Sequence, residues 1–164
     1  MSSSTARDIA AACQRALPNH FNDCSGFARD VASRCGVFLF GNANEIVESI
    51  ANSWIPVRDG VEAATMAAAG FLVVAGASAA GHGHVVIVVA GPMSHGQYPY
   101  AFWGAYHGLR VLGETVNVGF TRGHGNLNWA FGAKARKKLV YGAAKTIPLL
   151  TEKASGAEGF FIPR

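Results

Sequence analysis

The stretch Asn22-Asp23-Cys24-Ser25-Gly26-Phe27 decides how the rest of the chain is interpreted. Its first two residues are types that cap helices, and apolar residues then recur at helical spacing. The recurring residues are Cys24, Phe27, Val31 and Cys35, and Gly36 follows them in the usual C′ position. These features predict a helix that begins at the cysteine.

Cys24 occupies the first turn of that helix, where unpaired backbone N–H groups and the helix dipole favour a negative charge. The pKa of its thiol is therefore expected to fall below the usual value of about 8.5. A lowered pKa produces the thiolate, which is the nucleophilic form. The alternative is a buried structural cysteine, since cysteine is among the most buried residue types.

The chain has 164 residues, half of them hydrophobic and 15% charged. These values predict a single globular domain over residues 1–164, with a loose or lightly docked tail from Ser155. The net charge of +4 is mild and is compatible with a nucleic acid or with an anionic cell-wall polymer as a partner. The one basic run, at 134–138, is interpreted as a solvated face, and the region after Lys134 is assigned no role.

Cysteine usage and hydropathy set two further limits. An odd number of cysteines leaves at least one thiol unpaired, so Cys13 and Cys35 are either two buried thiols or one disulfide. The longest apolar runs, 71–75 and 85–90, are far shorter than the about 18 residues of a membrane span. The polar N-terminus does not have the pattern of a secretory signal.

The order of the predicted elements gives the fold class. Helices are predicted over residues 4–17, from Cys24 to Cys35, from a cap at Asn42 or Asn44 to Trp54, and from Val61 to Ala69. Strands are predicted at 71–75, 84–90, 100–106 and 115–120 and at 126–131, and 139–144 is expected to pack. Because helices precede strands, the expected class is α+β, with the helices on one face of an antiparallel sheet.

A nucleophilic cysteine needs a base, and His84 is the best candidate among the six histidines. It opens a predicted strand, where its side chain can face the helix that carries Cys24. An imidazole can hold a thiolate as an ion pair and later protonate a leaving amine. The alternative is that His84 caps the strand or is a structural core residue. The other histidines lie beside glycines or in predicted loops and are interpreted as surface residues: His20, His82, His95, His107 and His124.

A metal site is a weaker hypothesis. His82 and His84 could share a strand face as ligands, but zinc needs a third or fourth ligand. No HExxH or CxxC pattern supplies one.

Two motifs carry a resemblance to a known family. The segment Asp23-Cys24-Ser25-Gly26-Phe27, followed by the strand start Gly83-His84-Val85, resembles the NlpC/P60 superfamily of papain-like cell-wall peptidases. More narrowly, the chain resembles the first family of type VI secretion amidase effectors. That likeness extends over Asn22 to Val37, Gly41-Asn42-Ala43-Asn44, Ala67 to Val74, Gly83 to Pro92 and the aromatic segment near Tyr98 to Gly104.

The resemblance implies an antibacterial cysteine peptidase that hydrolyses the amide between γ-D-glutamate and meso-diaminopimelate in peptidoglycan stem peptides. The family's nucleophile maps onto Cys24 and its base onto His84, while Ser25 and Gly26 lie beside the oxyanion and the substrate. The superfamily often orients the base with a polar side chain on the next strand. Here that strand offers none, so a backbone carbonyl near Trp103 is the candidate. No metal or organic cofactor is implied.

The resemblance also implies partners and a location. They are a peptidoglycan stem peptide, a cognate periplasmic immunity protein and the type VI secretion apparatus, with no nucleic acid or membrane partner and a monomeric state. The protein would be made in the cytoplasm without a signal peptide and act in the periplasm of a target bacterium. The alternatives are a housekeeping or phage wall hydrolase of the same superfamily, a non-catalytic binding module of the same fold, and a cysteine-dependent acyltransferase.

Overall fold

A computed structural model describes the chain over residues 4–104 and 123–147. Its α-helices are α1 (Ser4–Ala16), α2 (Cys24–Arg34), α3 (Ala43–Ser53), α4 (Gly60–Ala68), α5 (Leu127–Ala130) and α6 (Ala133–Arg136), and a 3-10 turn covers Leu17–Asn19. Its strands are β1 (Ile55–Val57), β2 (Leu72–Ala77), β3 (His84–Ser94), β4 (Tyr98–Phe102), β5 (His124–Asn126) and β6 (Val140–Ala144). The strand predicted at 115–120 and the tail from Ser155 lie outside the described residues.

The strands form one sheet in the order β1-β6-β2-β3-β4-β5, and each neighbouring pair is antiparallel. The predicted α+β class with an antiparallel sheet is therefore confirmed. β6 lies between β1 and β2, with Val73 of β2 paired to Ala143 on one side and to Val88 of β3 on the other. The region after Lys134, which was assigned no role, thus supplies an interior strand.

Helices cover both faces of this sheet. One core lies between the sheet and α1, α2 and α3, and a second lies on the opposite face under α4, α5 and α6. The prediction that the helices occupy one face is wrong. The reason is visible in β3, where Val85 and Ile87 enter the first core while Val86 and Val88 enter the second. A strand that is apolar at every position is typically buried on both sides.

Helix boundaries follow local chemistry. α2 ends at Arg34 with Cys35 as its C-cap, and Gly36 follows with a φ of 74°, which confirms its predicted C′ position. For α3 the cap is Asn42: its side chain accepts from the N–H of Glu45 at 2.9 Å, and the Glu45 carboxylate accepts from the N–H of Asn42 at 2.9 Å. This capping box decides between the two predicted caps.

The strand predicted at 126–131 is wrong. β5 ends at Asn126, and a short helix follows. Leu127, Ala130 and Phe131 are all fully buried in the second core, at spacings of three and four residues. That spacing places them on one side of a helical turn, whereas a strand would have split them between two faces.

All three cysteines lie in the described ranges, and they are buried thiols rather than partners in a disulfide. Burial and the neighbouring Cys35 raise the pKa of Cys13 well above its usual value. The two-thiol alternative therefore holds for Cys13 and Cys35. Within the described ranges, no helix has both the length and the apolar character that a membrane crossing needs.

Candidate active site

The loop before Cys24 is built to start a helix. Asp23 is the N-cap of α2, and its carboxylate accepts a hydrogen bond of 2.9 Å from the N–H of Gly26. A Cβ on Gly26 would collide with that same carboxylate. A larger residue at position 26 would therefore have to displace the carboxylate that caps the helix.

The sulfur of Cys24 lies at the N-terminus of α2 and against the beginning of β3. The backbone N–H of Val85, and to a lesser extent that of Ser25, acts on the thiol and lowers its pKa. Val85 directly follows His84, so the structure brings the predicted nucleophile to the strand end that carries the predicted base. Cys24 is 1% exposed, so the sulfur is shielded from solvent.

His84 is the first residue of β3 and is paired with Ala77 of β2. It is 1% exposed, and its imidazole lies 5.0 Å from the ring of Phe131, centroid to centroid. The strand alternation directs it to the same face as Val86 and Val88, towards the second core, whereas Cys24 belongs to the first core. The expectation that His84 faces the helix of Cys24 therefore does not follow from the alternation of the strand. Phe131 was not identified from the sequence, because its segment was interpreted as a strand.

Burial controls the electrostatics of both groups. Loss of solvent raises the pKa of Cys24 to about 11, although the N–H of Val85 acts in the opposite direction and Asp23 adds to the rise. Loss of solvent lowers the pKa of His84 to about 3, with a further contribution from His82. The expected fall in the Cys24 pKa is therefore wrong for this conformation, because desolvation outweighs the N–H groups of the helix start. Near pH 7 both side chains are neutral.

His20 holds the loop in front of Cys24 in place. Its Nδ1 lies 3.0 Å from Oδ2 of Asp23, and its Nε2 lies 2.9 Å from Oδ2 of Asp30. Arg34 donates from Nε to the other oxygen of Asp30 at 2.8 Å. The network therefore ties the N-cap of α2 to a residue in the helix interior.

The interpretation of His20 as a surface residue is wrong, since its side chain is only 18% exposed. Burial raises the pKa values of Asp23 and Asp30, but their partners together outweigh it and hold both below their usual value: His20 and Gly26 act on Asp23, and His20 and Arg34 act on Asp30. The signal that could have identified the pair was the i, i+3 spacing of His20 and Asp23 around the cysteine loop. His124 is likewise half-buried, and its Nδ1 lies 2.7 Å from the hydroxyl of Tyr100.

Asn44 anchors the loop that leads to His84. Its amide nitrogen donates to the carbonyl of Ala79 at 2.9 Å, and its carbonyl oxygen accepts from the N–H of Ala79 at 3.1 Å. This residue belongs to the GNAN segment, yet the sequence pattern only identified it as a candidate cap. Its side chain instead links α3 to the loop between β2 and β3.

The end of β4 meets the cysteine loop. Trp103 is fully buried, and its N–H donates to the carbonyl of Gly123 at 2.9 Å. A Cβ on Gly104 would come within 2.6 Å of the Asp23 carbonyl and 2.9 Å of the His20 carbonyl. Glycine at 104 therefore lets the backbone of this strand end approach the loop directly.

Neither a cluster of metal ligands nor the cavity described below lies at Cys24 and His84 within the described residues. In the ranges 4–104 and 123–147, no three His, Cys, Asp or Glu side chains are grouped as metal ligands would be. A cavity of about 500 Å³ opens elsewhere, between α1 and the far half of β3. Its lining includes Gln14, Val89, Tyr100 and His124 and does not include Cys24 or His84.

Comparison with known proteins gives the family. No protein-family model matches the chain. The chain is 40% identical over 108 residues to the peptidoglycan amidase Tse1 of Pseudomonas aeruginosa, an alignment that covers 61% of this chain and 70% of the relative. The chain belongs to the family of this amidase. The resemblance to the type VI secretion amidase effectors is thereby confirmed.

Proposed function

We propose that this protein is a cysteine peptidase that hydrolyses an amide bond in peptidoglycan stem peptides. The observation that supports it most is the position of the Cys24 thiol, at a helix start and against the backbone N–H of Val85, the residue that follows His84 in β3. This arrangement occurs in a chain related to a peptidoglycan amidase. In the proposal, Cys24 is the nucleophile and His84 is the base.

Activation of the pair depends on its hydration. Burial is the main cause of both pKa shifts, so the resting site holds a neutral thiol and a neutral imidazole. Substrate must uncover the sulfur to react with it, and contact with polar groups and water then moves both pKa values back towards their usual ranges. The thiol proton passes to His84, which leaves a thiolate beside an imidazolium.

The chemical steps then follow. The thiolate attacks the amide carbonyl, and backbone N–H groups at the start of α2 hold the oxyanion, with Ser25 and Gly26 adjacent to it. His84 gives its proton to the leaving amine as the C–N bond breaks. His84 then takes a proton from water, whose oxygen attacks the thioester and releases the carboxylic acid and the Cys24 thiol. The backbone carbonyl of Trp103 is the proposed orienter of the imidazole. The cycle uses no metal or organic cofactor.

The bond, the fold family and the delivery route are carried over from the resemblance. The proposed bond is the γ-D-glutamyl–meso-diaminopimelate amide, cut by one catalytic domain of NlpC/P60 papain-like type. Support for that type comes from a cysteine at a helix start that packs on an antiparallel sheet, with a histidine opening an adjacent strand. The protein would leave the producer through the type VI apparatus, act in a target periplasm as a monomer, and be neutralised by an immunity protein.

Digestion of purified peptidoglycan tests this proposal. We expect wild-type protein to release fragments whose masses identify the cleaved bond, and Cys24→Ala to lose roughly 10³-fold or more of that activity while remaining folded. His84→Ala should lose activity to a comparable degree, whereas His82→Ala, at an exposed position, should turn over near the wild-type rate. Full activity of Cys24→Ala would end the proposal, and equal losses for the two histidine variants would point to another base.

One observation favours a second candidate, a non-catalytic binding module. Cys24 is 1% exposed and its pKa is raised, as expected of a structural thiol. Alkylation by iodoacetamide near neutral pH, with and without peptidoglycan fragments, separates the two. Selective labelling of Cys24 that increases when fragments bind and open the site favours the enzyme. A thiol that stays inert in both conditions favours the module.

A further inference from the structure

Two strongly exposed aromatic side chains lie on the loop between α2 and α3. Phe38 is 81% exposed and Phe40 is 60% exposed, whereas Leu39 between them is 7% exposed and belongs to the first core. The segment is thus extended, with one residue facing inward and its two neighbours facing outward. A contiguous exposed apolar patch of a few hundred Å² is often a functional surface.

The two rings form an ordered pair. Their centroids are 5.2 Å apart and their planes are inclined by 30°, which is a stacked arrangement. We call Phe38 and Phe40 the aromatic pair. Leu39 anchors it from below, so the rings are presented on a fixed backbone.

The loop is also held at both ends. The carbonyl of Cys35 accepts from the N–H of Ile147 at 3.0 Å, and Arg29 donates from Nη1 to the carbonyl of Gly41 at 3.4 Å. The capping box at Asn42 follows directly. The aromatic pair is therefore a preorganised surface.

The hydrogen bonds at Cys35 and Gly41 also fix where the loop runs relative to α2. Arg29 lies five residues after Cys24 in α2, a rise of about 7.5 Å along the helix. Asn44, shortly after the loop, holds the segment that leads to His84 through Ala79. The loop thus runs beside the helix that carries the nucleophile and ends next to the segment that carries the base.

The exposed area limits what can bind. Two phenylalanine side chains at these exposures present on the order of 300 Å². A stable dimer needs about 800 Å² on each partner, so the aromatic pair is too small to hold a second copy of this chain by itself. A single sugar ring, which stacks its C–H face on an aromatic ring, matches that size.

We propose that the aromatic pair binds a sugar of the peptidoglycan glycan strand and so holds the polymer while its stem peptide enters the site at Cys24, an inference that rests on the proposed function. The proposed bond follows the second residue of the stem, and each extended residue spans about 3.5 Å. When a sugar binds the aromatic pair, the stem peptide attached to that glycan can therefore extend along α2 with its proposed cleavage site. Repeated weak contacts along a polymer raise the effective concentration of stems at the site.

The first experiment measures binding without turnover. Cys24→Ala protein is sedimented with purified insoluble peptidoglycan and compared with the same protein carrying Phe38→Ser and Phe40→Ser. The matched control carries Val61→Ser, which alters an apolar residue that is 52% exposed on α4. We expect the bound fraction to fall at least about fivefold for the double variant only, and chitotetraose to compete with the control but not with the double variant. Equal binding by all three proteins would overturn the inference.

The second experiment measures turnover in the otherwise wild-type chain. Phe38→Ser with Phe40→Ser should lower kcat/KM on insoluble peptidoglycan and leave kcat/KM on sugar-free stem peptides unchanged. Equal losses on both substrates would overturn the inference, because they would mean damage to the catalytic site. Two other results would also overturn the inference. One is that sedimentation velocity shows dimers that depend on the aromatic pair. The other is that the pair is needed for flotation with phosphatidylethanolamine–phosphatidylglycerol vesicles, which would mean lipid binding. If Cys24→Ala still hydrolyses peptidoglycan, the proposed function fails, but the sedimentation comparison still decides whether the pair binds glycan.

Discussion

The backbone N–H of Val85, the residue that follows His84 in β3, lies against the thiol of Cys24 and lowers its pKa. This contact connects a helix from the first core to the beginning of a strand that separates the two cores. Several buried groups maintain this arrangement, and each can be tested by substitution.

The burial of His84 should make stability depend on pH. Its folded pKa of about 3 is below its usual value of 6.5, so the unfolded chain binds more protons between these values. The stability it contributes is present above pH 6.5 and is lost as the pH falls towards 3. Since one pKa unit corresponds to about 1.4 kcal/mol, we expect a loss of several kcal/mol from this group. Urea denaturation at pH 7 and pH 4 measures this loss: between these pH values, the free energy of unfolding should fall less for His84→Gln than for wild type. The exposed His95→Gln should behave like wild type, and identical drops in all three proteins would contradict the prediction.

Phe131 should control the pKa of His84. Its ring lies 5.0 Å from the imidazole and is fully buried, so it excludes water from that side. Replacement by the smaller leucine admits solvent, and we expect the pKa of His84 to rise by about one unit or more towards its usual value. An NMR titration of the imidazole measures this rise. Trp129→Leu, at a neighbouring position that is 43% exposed, is the control and should leave the midpoint in place. An unchanged pKa of His84 in Phe131→Leu would show that other groups exclude water from the imidazole.

His20 should position the start of α2. Its two ring nitrogens contact Asp23 and Asp30, and its replacement by alanine leaves both carboxylates without that partner. We expect His20→Ala to lower the free energy of unfolding by about 1–3 kcal/mol and to reduce kcat more than it changes KM. Urea denaturation and steady-state kinetics measure the two effects. His95→Ala is the matched control at an exposed turn. A His20→Ala enzyme with normal stability and normal kcat would remove this network from the mechanism.

Asn44 should hold the loop before His84. Asn44→Ala removes both hydrogen bonds to the backbone of Ala79. We expect the free energy of unfolding to fall by about 1–2 kcal/mol and proteolysis within residues 78–83 to become faster. Asn52→Ala tests the same change at an exposed position in the same helix. Cleavage at the same rate in both variants would show that other contacts fix the loop.

Local patterns predicted the main elements around the site well. The helix from Cys24, its cap at Asp23 and the strand that opens at His84 depend on residues adjacent in sequence, and all three are present. The helix at Leu127 was misjudged because a four-residue element offers too few positions to distinguish helical from strand periodicity. The family followed from motifs in a fixed order, and the alignment with the peptidoglycan amidase confirms it.

The amino-acid sequence by itself determined where the cysteine helix and the histidine strand begin, because caps, glycines and apolar spacing act over a few residues. Only the tertiary structure decided that helices cover both faces of the sheet, that β6 enters its interior, and that His20 and Phe131 flank the site. It also reversed the expected direction of the Cys24 pKa. The physical reason is that desolvation depends on every segment packed around a group, and those segments are distant in sequence.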